Sequence, residues 1–363
     1  MKIAWSEIRF QPKKFFLVEL LIILMMVMVI FLTGLTNGLG RAVSAQIENY
    51  GKVTYLLSDD AEGVISFSNL TDQSLKEVKS LDLKNKAGLS IQRSAIKENA
   101  DAESKDITYF AIEDSSLLKP KLVEGTDLSG NKAEIILDAS FKDKGIKKGD
   151  SIRDNGSEKV LKVVGFAPDA KYGHSSVGFI SPKTFEAIRQ VNMPSYKWRP
   201  QAYVTEDDKL AKSHLKDSLK AYNQKQIIEK IPGYQAEHMT LSMITWVLLI
   251  VSSAILGVFF YILTLQKLRQ FGLLKAIGMS MTKIAAIQLS QISILAILGA
   301  VLALAITTLL TSILPASMPF FLSLDKIILV LISFLVIAVV CGALSLVKVR
   351  KVDPIEVIGG NGE

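Results

Sequence analysis

The chain has 363 residues, 49% apolar and 21% charged, with one cysteine and a formal net charge of +7. That apolar share exceeds what a charged soluble protein of this size carries and places the chain in the membrane class. Its one cysteine, Cys341, lies in an apolar run, which excludes an internal disulfide framework and a thiolate metal cluster, and no basic arm interleaved with aromatics points to nucleic acid.

Residues 1–14 carry Lys2, Arg9, Lys13 and Lys14, and 15–38 follow as a first apolar span. Hydrocarbon about 30 Å thick needs about 20 helical residues. A secretory signal is the competing reading, with Val43-Ser44-Ala45 as its cleavage site. A signal's apolar region is about 7–15 residues, however, so an uncleaved anchor fits better. Three further spans are expected at 239–265, 284–314 and 327–347. Lys267, Arg269, Lys275 and Lys283 lie between the second and third spans, and Lys348, Arg350 and Lys351 follow the fourth. The bias of positive charge then puts 1–14, 266–283 and 348–363 in the cytoplasm, and puts 39–238 and the loop 315–326 outside. Glu19 lies inside the first span near its cytoplasmic edge, where it either snorkels to the interface or docks a partner subunit.

From residue 40 the composition turns polar, as in a water-exposed domain. Alternating and β-branched residues predict strands within 133–138, 145–152 and 159–166, with a turn at Gly149-Asp150. Helical patterning covers 74–81, 182–191 and 207–224, so the domain is mixed α and β. The order AEIILDASFKDKGIKKGDSI followed by KVLKVVGFAPDA resembles the extracytoplasmic core domain of MacB- and FtsX-type permeases. Two cytoplasmic segments strengthen the likeness. QKLRQFGLLKAIGMS resembles the family's coupling segment, in which Leu268, Phe271, Leu274 and Ala276 form an apolar face, Gly272 lies within the helix and Gly278 ends it. The acid that relatives carry before the glycine is replaced by Gln270-Phe271, so a salt bridge made there in relatives is not expected here. An ordinary basic interfacial loop is the competing reading. KVDPIEVI resembles the family's closing motif, with Asp353 as cap, Pro354 opening a turn and Glu356 after it.

The resemblance implies a membrane protein of four transmembrane α-helices with a large mixed α/β extracytoplasmic domain between helices 1 and 2. It also implies a cell-membrane location with both termini cytoplasmic, and a homodimer working with two copies of a separate ABC ATPase subunit. No Gly-x-x-x-x-Gly-Lys-Ser/Thr pattern occurs, so ATP is expected on that partner and the chain itself is not expected to be an enzyme. Gln288, Ser290, Gln291 and Ser293 on the third span are too few to line an aqueous channel and can bond between helices.

Two constellations bear on the substrate: 171–176, and 232–239 where Tyr234, Glu237 and His238 share a helix face. Tyrosine, histidine and methionine all serve as axial ligands to haem iron, and Met25, Met26, Met28, Met239 and Met243 add adaptable packing. A tyrosine anchored at the membrane interface is the plainer alternative. KYGHSS, GYQAEHMTLSMI and KVDPIEVIGG are similar to the haemin transport permeases (HrtB type) of Gram-positive bacteria. That likeness implies haem efflux for detoxification, with haem as substrate, no permanently bound cofactor and no metal beyond the haem iron. It makes Tyr172 and Tyr234 the leading haem contacts and Glu237, His238 and Met28 secondary ones; for Lys171 and Arg41, pairing with propionates competes with the plainer reading of solvated surface charge. Export of a peptide or lipid-linked substrate, and an FtsX-like mechanotransmitter that transports nothing, remain the alternatives.

Overall fold

A computed structural model describes residues 2–10, 12–98, 103–208, 210, 215, 218–314 and 318–350. Helices α1 (Lys2–Phe10) and α2 (Pro12–Asn49) open the chain. One compact unit is Gly40–His238 and the other comprises the chain on either side of it.

Within Gly40–His238 the order is β1 (Thr54–Ser58), α3 (Asp72–Ser80), β2 (Lys86–Lys97), β3 (Lys105–Ile112), β4 (Glu124–Gly125) and β5 (Glu134–Asp138). Then come α4 (Ser140–Asp143), β6 (Ser151–Asp154), β7 (Val160–Ala167), β8 (Lys171–Tyr172), β9 (Ser175–Ile180), α5 (Pro182–Gln190), β10 (Ala202–Thr205), β11 (Leu219–Asn223) and α6 (Gln224–Lys230). These strands form one mixed sheet in the order β11-β1-β10-β2-β3-β9-β5-β7-β4, with β6 on β2 and β7, and β8 on β9. The β3–β9 and β5–β7 pairs are parallel.

Side chains alternate across a strand, and both faces of this sheet are covered. In β3, Phe110 and Ile112 enter one core with Ile136 of β5, whereas Tyr109 and Ala111 enter the other with Ile135 and Leu137. Val43 and Ile47 of α2 and Ile227 and Ile228 of α6 complete the first core; Phe141 of α4 with Phe185 and Ile188 of α5 complete the second. This double burial explains why β3 and β5 read as nearly continuous apolar runs. Local signals start the helices: the Ser181 side chain accepts from Thr184 N ahead of Pro182, and Asn223 and Gln226 form a reciprocal capping box.

The strands expected at 133–138 and 159–166 form as β5 and β7. The stretch 145–152 becomes strand only from Ser151, because Gly145 (φ 92°) and Gly149 (φ 96°) turn the chain first. The helix expected over 207–224 is corrected in part: residues 219–223 are β11, paired antiparallel with all five residues of β1. Edge pairing overrides a weak helical period there.

The membrane unit contains most of α7 (Tyr234–Gln266), together with α8 (Leu268–Ala276), α9 (Met281–Thr311), α10 (Leu324–Arg350), α1 and most of α2. Among the described residues, four helices are long and apolar enough to cross a membrane: Phe15–Asn49, Tyr234–Gln266, Met281–Thr311 and Leu324–Leu346. The first extends past the expected residue 38 and the second starts before 239, since both continue as helix into the domain of residues 40–238. Ile22, Met26 and Ile30 of α2 pack with Leu256 and Phe260 of α7, Ile292 and Leu295 of α9 and Phe334 of α10.

Gly34 and Gly38 are spaced as in a helix-dimer motif. Their groove is filled from within the chain. Phe321 N donates to Gly34 O at 3.0 Å, Phe320 lies 5.2 Å from Phe31 between ring centroids, and a Cβ on Gly38 would fall 2.2 Å from the Pro319 carbonyl oxygen. Gly38→Val should therefore lift this segment off α2 and destabilise the detergent-solubilised protein by about 1–3 kcal/mol, read as a lower thermal midpoint. An unchanged midpoint would show that the groove does not hold the segment.

Candidate ligand site at the head of the second span

Helix α6 ends at Lys230 with Ile231 as its cap, and Gly233 (φ 87°) turns the chain so that Tyr234 N can donate to Ile231 O at 3.1 Å and start α7. The three- and four-residue spacing then brings Tyr234, Glu237 and His238 to one face. The Tyr234 and His238 rings stack with centroids 5.4 Å apart and planes inclined by 23°. Glu237 faces the loop between β8 and β9: its two carboxylate oxygens lie 3.0 and 2.9 Å from His174 Nε2. A carboxylate only accepts, so Nε2 is the donor in this contact. Both partners are nearly half exposed, at 46% and 44%.

His174 is held by its backbone. Gly173 and His174 both have positive φ, 56° and 61°, and their amides donate to the Val43 and Ala42 carbonyls of α2 at 2.9 and 3.1 Å. Beside them Arg41 joins Glu48 at 2.8 Å and also pairs with Asp169, while Asn49 Nδ2 donates to Asp169 O at 3.0 Å. The end of α2 is thus fastened to the loops that frame the site.

Tyr172 lies elsewhere. Its ring is buried in the first core, edge-on to Phe110 with centroids 5.4 Å apart. Burial pushes its phenol well above the ordinary tyrosine range, and does the same for Tyr55 and Tyr109. Met28 belongs to the membrane unit and is 58% exposed. Of the sequence candidates the structure groups Tyr234, Glu237 and His238, and it adds His174. A positive-φ residue directly after a glycine leaves only a faint local signal, the Gly-His pair closing a short strand.

The segment expected to couple to an ATPase contains α8. Phe271 and Gly272 are buried, and Leu268 and Leu274 pack with Phe271 on Ile284 and Leu346. Ala276 is exposed, as are Leu273 (50%) and Ile277 (78%). Gly278 (φ 88°) ends the helix in a Schellman arrangement: Met279 N donates to Leu274 O at 2.9 Å and Gly278 N to Lys275 O at 3.0 Å. Asp353, Pro354 and Glu356 lie outside the described residues.

The MacB-like periplasmic core domain family matches residues 15–222, and the FtsX-like permease C-terminal family matches residues 242–354. The chain belongs to this permease family. It is 29% identical over 360 residues to a Staphylococcus haemolyticus protein that carries the name hemin transport system permease protein HrtB, covering 99% of both chains. A like-named Staphylococcus epidermidis protein is 29% identical over 364 residues, again with 99% of each covered. The crystallised periplasmic region of MacB from Actinobacillus actinomycetemcomitans superposes with a TM-score of 0.36 at 14% identity, over 53% of this chain and 95% of that one.

In the permease, Lys171 and Arg41 are both engaged by carboxylates of the Gly40–His238 unit. Lys171 Nζ is 2.8 Å from the buried Asp138 carboxylate and donates to the Ser140 and Ser176 hydroxyls at 2.7 Å; Arg41 is engaged by Glu48 and Asp169. Such contacts fix the β8–β9 region.

The buried phenols carry a pH consequence. Their folded pKa is raised above the unfolded value of about 10, so the stability they contribute is fully present below about pH 10 and is lost as pH rises through the folded pKa. Absorbance at 295 nm and circular dichroism should show these tyrosines ionising together with unfolding, and Tyr172→Phe should move the alkaline midpoint upward. Ionisation of all tyrosines ahead of unfolding would contradict this.

Proposed function

We propose that the permease works with a separate ABC ATPase as a two-plus-two exporter that removes haem from the cytoplasmic membrane. The observation that carries this reading is the alignment, over 99% of both chains, with permeases named for hemin transport. The charge flanks support cytoplasmic termini and an outward-facing domain of residues 39–238.

At the head of α7 the stacked Tyr234–His238 pair offers a flat apolar surface, and its phenol and imidazole, with Glu237, are donor types that haem iron accepts. His174 orients Glu237. Met28, exposed on the first span, is the thioether that haem would meet within the lipid. Tyr172, being packed in the core, supports the loop that carries His174 rather than meeting the iron. Haemin titration of the purified permease should develop a Soret band that the Tyr234→Phe/His238→Ala double variant shifts or weakens and Tyr172→Phe leaves in place. An unchanged spectrum in the double variant overturns the site, and haemin resistance equal in deletion and parent strains overturns the substrate.

In the ATPase contact, α8 has two parts. Leu268, Phe271, Gly272 and Leu274 seat the helix and Gly278 ends it, while Leu273, Ala276 and Ile277 present apolar surface to the partner. Leu273→Asp/Ile277→Asp should abolish co-purification with the ATPase while preserving the thermal midpoint. Phe271→Ala should instead cost about 3–5 kcal/mol of stability. Retained co-purification in the double Asp variant would remove α8 from the contact.

A further inference from the structure

Lys267 stands at the joint between α7 and α8. Its amide donates to Thr264 O at 3.1 Å and its carbonyl accepts from Phe271 N at 2.9 Å. The side chain is only 4% exposed, and an ammonium so buried holds its charge only against a partner. That partner comes from the far end of the sequence. Lys267 Nζ lies 2.7 Å from Glu7 of α1 and donates to Gln291 Oε1 of α9 at 2.6 Å, while Gln291 Nε2 donates to Glu7 at 2.5 Å. Each member of the triangle thus bonds both others. The ammonium also lies 5.1 Å from the ring centroid of Phe15 on α2.

Such a cluster adds little net stability, because desolvation offsets the attraction, but parting it strands a charge without a counter-ion. Elements joined this way shift together. The substrate site does not use these residues, and neither does the exposed apolar surface of α8.

We propose that Glu7, Lys267 and Gln291 are positioning residues that lock α1, the α7–α8 joint and α9 into one body, so that displacement of the coupling helix reaches the N-terminal helix and the third span directly. The inference rests on the ATPase-coupled reading above. Of its three residues, Gln291 alone belongs to the polar set noted on the third span, and it bonds to an ion pair rather than lining a path.

The test places spin labels at Ser6 on α1 and Arg269 on α8, both exposed, in a Cys341→Ser background of the full permease–ATPase complex in liposomes. Label distance with and without ATP, ATP hydrolysis, and haemin exported per ATP are measured together. In the parent the distance should stay the same across nucleotide states. Glu7→Gln, Lys267→Met and Gln291→Leu should each broaden it and lower export per ATP roughly 2- to 30-fold while hydrolysis continues. Lys267→Arg, which keeps the charge, should retain parental behaviour. Unchanged distance and export per ATP in the three disruptive variants overturn the lock. A parent that hydrolyses ATP and moves α8 but exports no haemin overturns the substrate reading alone, since the label distances still decide the lock; a parent that never engages the ATPase overturns the coupling reading and the lock with it.

Discussion

Helix α2 runs without a break from Pro12 to Asn49 and contributes to two separate hydrophobic cores. Its first half buries Ile22, Met26 and Ile30 among the spans; its last turns bury Val43 and Ile47 beneath the sheet. The same last turns accept the amides of Gly173 and His174, so the loop that frames the candidate site takes its position from this helix. Apolar burial contributes about 25 cal/mol per Å² and fixes the helix in the domain; the hydrogen bonds then fix the loop.

How far the fold could be read from sequence depended on how local each signal was. Strands β5 and β7 were legible because β-branched runs bounded by glycine turns are local. Burial on both faces accounts for the continuous apolar run Ile135-Ile136-Leu137 in β5. At 207–224 the local period misled, because β11 is specified by β1, more than 160 residues earlier in the chain by the numbering of the pair Leu219 and Ser58. The seat of Phe320 and Phe321 on Gly34 and Gly38 was equally invisible: the spacing of two glycines states that something approaches closely, not what it is.

The candidate site shows the same division. Tyr234, Glu237 and His238 could be grouped from helical spacing alone, and they are grouped in the structure. Tyr172 could not be placed, because a two-residue strand leaves open which residue faces inward; here Tyr172 turns into the core and His174, carried on two positive-φ residues, turns out to Glu237. Lys171 and Arg41 were visible as charges, but their partners Asp138 and Asp169 were set by tertiary contact.

Polar groups in the membrane unit meet the cost of desolvation in two contrasting ways. Lys267, Glu7 and Gln291 satisfy one another, and the expense of separating them turns three distant segments into one mechanical element. Glu19 is different: both its carboxylate oxygens are buried without a hydrogen-bond partner among the described residues, and a Cβ added at Gly299 on α9 would lie 3.4 Å from one of them. Gly299 leaves room for the carboxylate without offering it a donor. A group so placed contributes nothing that would hold α2 against α9, whereas the triangle at Lys267 does tie α9 to its neighbours. Among the described residues, the polar grip on α9 centres on Gln291, next to α8, and further along α9 Ile22 of α2 packs against Gly299.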